Sequence, residues 1–252
     1  MSRLYVYGLT DAPMSAPLAA PPVGGLGVIR PAPLRAGTAW VSDTEETAIL
    51  QTRRHMLAHA KALEEAMGLG TVLPVRFGTI VERIEALEAV LAPQQAYVAD
   101  AFARVAGKAE FGLRVAFVRE AVLRKLACEE PTLARRYAAL KDKPAAATHF
   151  ERIELGRMVG EALEGAREAE QRRLIELLQG YFNDIRVQPH EEDVQVLKAE
   201  VLLLPQQEAP LLARLDALQQ EAPGLYEIRS VGPSPAYNFV RIRLDASLAE
   251  AA

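Results

Sequence analysis

The chain has 252 residues, half of them hydrophobic and a quarter charged, which is ordinary for a globular protein of one large or two smaller domains. Its 29 Lys and Arg against 33 Asp and Glu give a net charge of −4, which argues against a general nucleic-acid binder. No apolar run approaches the roughly 18 residues that a membrane span needs, and the only cysteine, Cys128, leaves no intramolecular disulfide.

A reducing, cytoplasmic setting is therefore expected, and Met1-Ser2-Arg3-Leu4-Tyr5 carries no signal-peptide apolar core. Leu4-Tyr5-Val6-Tyr7-Gly8 reads as the first strand. Residues 10–25, rich in Pro, Ala and Gly, read as a mobile loop. Gly24-Gly25-Leu26-Gly27 lacks the Lys-Ser/Thr and the following helix of a phosphate loop, so it reads as a turn into a short strand at 26–30. A strand at 38–42 leads to Asp43 or Thr44, either of which can cap a helix with Glu45 and Glu46 in its first turn. Ile49, Met56, Ala60, Leu63 and Met67 recur along that helix at helical spacing. His55 and His59 have the spacing of a zinc-peptidase helix, but Met56 stands where the catalytic Glu belongs and no third ligand is evident. The expected role of the pair is structural or at the surface, not metal binding.

Gly68 and Gly70 should stop the helix in a left-handed turn. Val72, Leu73, Val75 and Phe77 read as a strand, and Pro74 suits an edge position because it has no N–H to donate. Arg76, a charge in an apolar run, is expected to be partly buried and paired with a carboxylate. Gly78 closes the strand and Thr79 caps a helix with the stripe Ile80, Ile84, Leu87 and Leu91. A further helix at 94–106 turns Val98, Ala101, Phe102 and Val105 inward.

Phe111, Leu113, Val115 and Phe117 alternate along a strand at 110–118, and a helix at 119–128 follows. A long amphipathic helix at 146–178 has Ile153, Met158, Ala162, Leu163, Ala166, Leu174, Ile175 and Leu178 on its apolar side. Strands are expected at 181–188 and 196–204, a helix at 207–220 with Leu211, Leu215 and Leu218 inward, a strand at 225–231 and a last strand at 237–242.

Several stretches resemble one family. His59 followed by Thr71-Val72-Leu73-Pro74-Val75-Arg76-Phe77-Gly78-Thr79 is similar to the signature of the gas vesicle protein L/F family (GvpL/GvpF). The opening Tyr7-Gly8, the strand from Glu110, the run Leu155–Leu163 around Gly156-Arg157, and the close Gly232-Pro233-Ser234-Pro235-Ala236-Tyr237-Asn238-Phe239-Val240 match it as well. Ala236 and Asn238 depart from the family's close without putting any chemistry in doubt. The resemblance implies an accessory or minor structural protein that binds the major gas vesicle shell protein and other accessory proteins during assembly, located in the cytoplasm with the vesicles. It leaves the L and F roles open. His59, Pro74, Arg76, Phe77, Gly78, Pro233 and Tyr237 then read as structural family positions.

The order of elements predicts an α+β fold of two small domains. Residues 1–106 run β-β-β-α-β-α, and residues 107–252 form a ferredoxin-like β-α-β-β-α-β domain with an extra strand and a long helix. No catalytic set, cofactor or metal is expected, since none of the four histidines sits beside an evident nucleophile or carboxylate triad. Neither a nucleic-acid nor a membrane partner is expected. Arg157, Arg167 and Arg172, on the charged side of the long helix, are the expected partner-binding residues. Other classes that fit the same scaffold are a small-molecule-binding regulatory module and an enzyme.

Overall fold

A computed structural model describes residues 2–24, 27–242 and 244. The first unit is built on strand β1 (Arg3–Thr10), which is buried from Leu4 to Thr10. On one side it pairs antiparallel with β3 (Gly37–Thr44), which pairs in turn with the edge strand β2 (Arg30–Leu34). On the other side it pairs with β4 (Val72–Pro74) and then β5 (Ile80–Val81). The sheet order is β2-β3-β1-β4, with β5 also on β1. Helix α1 (Arg53–Met67) buries Ala58, His59, Ala62, Leu63 and Ala66, and packs on β1 and β4. A Cβ on Gly8 would meet Leu63 Cδ2 at 2.6 Å and Leu73 O at 2.9 Å, so glycine there lets the helix close on the sheet. Helix α2 (Ile84–Leu91) packs on β2 and β5; helix α3 (Gln95–Val105) buries Val98, Ala101, Phe102 and Val105, as its spacing predicts.

Local cap signals misplaced two boundaries, and the helix stop at Gly68, rightly placed, differs in handedness. The helix expected after Asp43 or Thr44 starts at Arg53 instead. Asp43 and Thr44 continue the ladder opposite Leu4 and Arg3, and Thr52 caps the helix, its Oγ1 accepting from His55 N–H at 3.2 Å. Thr79 caps no helix: its hydroxyl donates to Arg76 O at 2.7 Å, and the chain pairs Ile80 and Val81 with β1 before α2 begins. In both places an available partner strand outweighs a local cap. The stop at Gly68 is right-handed, φ −68°, with its N–H donating to Glu65 O at 3.1 Å. The strand expected at 26–30 is β2, shifted to Arg30–Leu34; Pro31 and Pro33 are tolerated because it is an edge. Gly25 and Leu26 lie outside the described residues. The loop expected to be mobile is tied down: Ala19 and Ala20 N–H donate to the Glu65 carboxylate at 2.7 and 2.8 Å, and Leu18 and Val23 are buried.

The second unit contains β6 (Ala109–Phe117), α4 (Arg119–Glu129), α5 (Pro131–Lys141), α6 (His149–Leu178), β7 (Asp184–Val187), β8 (Gln195–Leu203), α7 (Pro205–Glu221) and β9 (Tyr226–Ser234). Its sheet order is β7-β8-β6-β9, the 2-3-1-4 order of a ferredoxin-like sheet. Helix α7 buries Leu211, Leu215 and Leu218 as expected. Helix α5 has no counterpart among the sequence expectations, because only Leu133 and Leu140 in it are buried and the apolar signal is thin. Ile153 does not face inward; it is 57% exposed, and α6 buries only Leu163, Leu174 and Leu178.

The extra strand at 237–242 is not formed. Phe239 and Val240 N–H both donate to Ala236 O at 3.1 Å, making a turn that buries Ala236, Phe239 and Val240. By contacts the chain groups as Met1–Glu110 with Gly232–Ala252, and Phe111–Val231, so the closing segment folds with the first unit. Among the described residues no helix is long and apolar enough to cross a membrane.

Candidate functional site

The opening strand, His59, the signature run 71–79 and the closing segment lie in the first unit, and the first three meet around Tyr5. The backbone of the signature run explains how. Val75 N–H donates to Tyr7 O and Thr79 O accepts from Val6 N–H, both at 3.0 Å. Arg76, Phe77 and Gly78 therefore leave the ladder between β4 and β5 as a short excursion. Gly78 has φ +85°, a left-handed conformation that glycine reaches without strain. Its N–H donates to the Tyr5 hydroxyl at 3.2 Å.

The Tyr5 hydroxyl lies 2.9 Å from His59 Nδ1. The phenol oxygen, with two lone pairs and one proton, accepts from Gly78 and shares a single hydrogen bond with Nδ1 whose direction follows the imidazole tautomer. Nε2 makes no hydrogen bond of good geometry. Tyr7 stacks on the imidazole at 5.6 Å, and Phe77 meets it edge-on at 5.7 Å. The Tyr7 hydroxyl accepts from Val23 N–H at 2.7 Å and shares a hydrogen bond with Ser42 Oγ at 2.9 Å. Tyr237 approaches closely enough for its hydroxyl to be felt at Tyr5.

The electrostatics of this cluster do not suit proton transfer at neutral pH. His59 is 4% exposed. Burial pushes its imidazole down to about 4, partly offset by the backbone of Val75. Burial raises the phenols of Tyr5, Tyr7 and Tyr237; at Tyr237 the Glu64 and Glu110 carboxylates add to the rise. Every group is neutral near pH 7, and His59, Tyr5 and Tyr7 are each spent on hydrogen bonds and ring contacts, so the arrangement holds the signature excursion in place.

His55, the other half of the zinc-like pair, is partly exposed, and its Nδ1 donates to Leu50 O at 2.8 Å. Among the described residues no group of three His, Cys, Asp or Glu is placed to hold a metal ion. An apolar cavity of about 250 Å³ lies by Leu9, Leu34, Leu91 and Val98, and Glu88 at its rim already accepts from Arg35 N–H at 2.9 Å.

Arg76 is not the buried, paired cation that the sequence predicts. It stands exposed on the excursion and makes no ion pair among the described residues, because the chain leaves the strand just before it. Arg76→Ala is therefore expected to change unfolding free energy by less than about 0.5 kcal/mol, read from urea melts. A loss of several kcal/mol would show that the guanidinium has a buried partner. Pro74 is buried at the end of the edge strand β4, and Pro233 is exposed near the end of β9.

The three helix arginines do not share a face. At 100° per residue, Arg172 lies about 60° around the helix from Arg157 and Arg167 about 80° the other way, so Arg167 and Arg172 are about 140° apart. Arg157 is exposed and bonded to Glu154 and Glu161. Arg172 is exposed. Arg167 is 15% exposed, pairs with Glu164 at 3.3 Å, and acts on His190, whose imidazole is lowered by burial and then by this cation.

A residue without an assigned role proves central. Glu110, 3% exposed at the start of β6, accepts from Asn238 N–H at 2.8 Å and from Asn238 Nδ2 at 2.7 Å. Its carbonyl accepts from the Ser234 hydroxyl at 3.1 Å. The closing segment is thus clamped by a carboxylate 128 residues away, and Asn238, a departure from the family pattern, supplies the second bond. The one signal in the sequence was a charged residue at the head of an apolar strand.

The family model described as gas vesicle synthesis protein GvpL/GvpF matches residues 3–241. Gas vesicle protein F of Streptomyces sp. (strain CB03234) is 32% identical over 242 residues, covering 94% of this chain and 98% of that protein. Gas vesicle protein F of Nostoc sp. is 25% identical over 73% of each chain. The crystal structure of GvpF from Anabaena sp. PCC7120 superposes with a TM-score of 0.84 at 20% identity, covering 96% of this chain and all of that one.

Proposed function

Since the chain belongs to the GvpL/GvpF family of gas vesicle proteins, we propose that it is a non-catalytic assembly or minor structural protein of gas vesicles, acting in the cytoplasm. In this reading it binds the major shell protein and other accessory proteins. The observation that carries it is the convergence of the family's signature on a buried, neutral cluster. That cluster holds no group poised for proton transfer and orients an excursion whose tip, Arg76, is exposed. Small apolar shell subunits are prone to aggregate before assembly, and a partner that covers their apolar surface has a direct physical use.

Exposed strand edges and helix faces are the natural contacts. β9 is a nine-residue edge strand, largely exposed beyond Tyr226, whose free edge can receive an added strand. On α6, Arg157 and Arg172 remain surface candidates; Arg167, mostly buried, does not.

The test is complementation in cells lacking their own copy, with co-purification of the shell protein. Restored vesicles and a retained shell protein are expected. Vesicles of normal number and shape without the chain would defeat the proposal.

A further inference from the structure

Helix α1 opens on two cations, Arg53 and Arg54, and no acidic residue stands in its first turn. The positive end of a helix dipole disfavours that arrangement, and the fold does not offset it. Arg53, Arg54 and, two turns on, Lys61 are exposed. Among the described residues none of their side chains forms a hydrogen bond or an ion pair, not even Lys61 with Glu64 three residues later. Exposed cations elsewhere, such as Arg119, Lys125 and Arg157, each hold a carboxylate.

The three unpaired cations line one open cleft of about 670 Å³, together with Leu57 of the same helix and Pro21 and Pro22 of the loop before β2. Among the described residues no carboxylate and no Phe, Tyr or Trp lines it. The loop is fixed to the helix and the sheet. The Glu65 carboxylate accepts from Ala19 and Ala20 N–H at 2.7 and 2.8 Å, and Val23 N–H donates to the Tyr7 hydroxyl at 2.7 Å. A cleft with both walls held in this way loses little order when filled.

Spacing and charge together indicate the occupant. Arg53, Leu57 and Lys61 are four residues apart, so they form one ridge, each about 6 Å beyond the last. Arg54 flanks the ridge, three residues before Leu57. Leu57 is 50% exposed, an apolar side chain left in water among cations. In an extended segment every second side chain faces the same way, about 6.6 Å apart. An acidic-x-apolar-x-acidic segment laid along α1 therefore matches the ridge residue for residue. We infer that this cleft docks such an extended acidic segment of a partner protein, with one carboxylate against Arg53 and Arg54, the apolar side chain on Leu57 and the second carboxylate against Lys61. Charge-assisted hydrogen bonds orient the segment, and cover over Leu57 adds apolar burial. A small free anion would leave Leu57 in water, and a single nucleic-acid strand needs aromatic platforms that the cleft lacks. The inference rests on the assembly reading only for the existence of a protein partner.

The experiment uses the full chain and fluorescein-labelled 12-residue peptides in a Gly/Ser background. One carries Glu-Ser-Leu-Ser-Glu, a second has Lys in place of both Glu, and a third has Ser in place of Leu. Fluorescence anisotropy is expected to show the first binding at least tenfold more tightly than the second and at least threefold more tightly than the third. Arg53→Glu with Lys61→Glu, both at exposed positions, should melt no lower than the wild type and should prefer the Lys peptide. Leu57→Ser should erase the difference between the first and third peptides. Equal affinity for the Glu and Lys peptides, no binding of the Glu peptide, or indifference to Leu57→Ser would overturn the inference. So would displacement of the Glu peptide by an equimolar amount of inorganic tripolyphosphate, since the cleft would then be a site for a free polyanion. None of these results bears on vesicle complementation, so the cleft and the assembly reading fail separately.

Discussion

Glu110→Ala is expected to destabilise the protein by about 3 kcal/mol, because hydrogen bonds to a charged acceptor contribute about 1.5–3 kcal/mol and their loss strands buried donors. The carboxylate accepts from both the backbone and the side-chain amide of Asn238. Without it, both donors of the half-buried Asn238 lose their acceptor. For a chain of this size, a loss of that order lowers the melting temperature by roughly 6–12 °C. Asn238→Ala removes only the Nδ2 bond and should cost about 1 kcal/mol, since the backbone N–H still reaches Glu110. Melting by circular dichroism tests both. A Glu110→Ala protein that melts with the wild type would show that the closing segment is held by its buried Phe239 and Val240 alone.

Acid should weaken the fold through His59. Its imidazole is held down at about 4 by burial, against an ordinary value of 6.5. Between those values the unfolded chain takes up a proton that the folded chain refuses. The stability due to neutral His59 is therefore complete above pH 6.5 and is lost progressively as the pH falls toward 4. A depression of this size corresponds to about 3 kcal/mol across the window. His190, also lowered, adds in the same sense. Glu200, raised by burial, acts in the opposite sense, because its protonated form is favoured in the fold. His59→Gln isolates the term: glutamine can accept from the Tyr5 hydroxyl but does not titrate. Urea melts at pH 7 and pH 4.5 should show a clearly smaller loss in the variant than in the wild type. Equal losses in both would show that His59 is protonated as easily in the folded chain as in the unfolded one.

The elements legible in the sequence are those whose cause is local. The alternation of Phe111, Leu113, Val115 and Phe117 and the stripe Leu211, Leu215 and Leu218 come from periods of two residues and 3.6, which neighbours along the chain are enough to set. The order of elements around these two is sufficient to propose a ferredoxin-like sheet, and the signature run from Thr71 to Thr79 is sufficient for the family.

What the sequence could not determine was which partner wins when two are available. Asp43, Thr44 and Thr79 are good helix caps in isolation, but β1 offers Asp43 and Thr44 a ladder and draws the residues after Thr79 into another. Arg76 looked buried because its neighbours are apolar, yet the chain turns out of the sheet one residue earlier so that Gly78 can reach Tyr5. Arg167 looked like its fellow arginines until packing decided which side of α6 is covered. The bond between Tyr5 and His59 spans 54 residues and that between Glu110 and Asn238 spans 128. Contacts at such separations leave no periodic trace along the chain; they exist only once the sheet has brought the two ends together, because burial and hydrogen-bond satisfaction are properties of the packed whole.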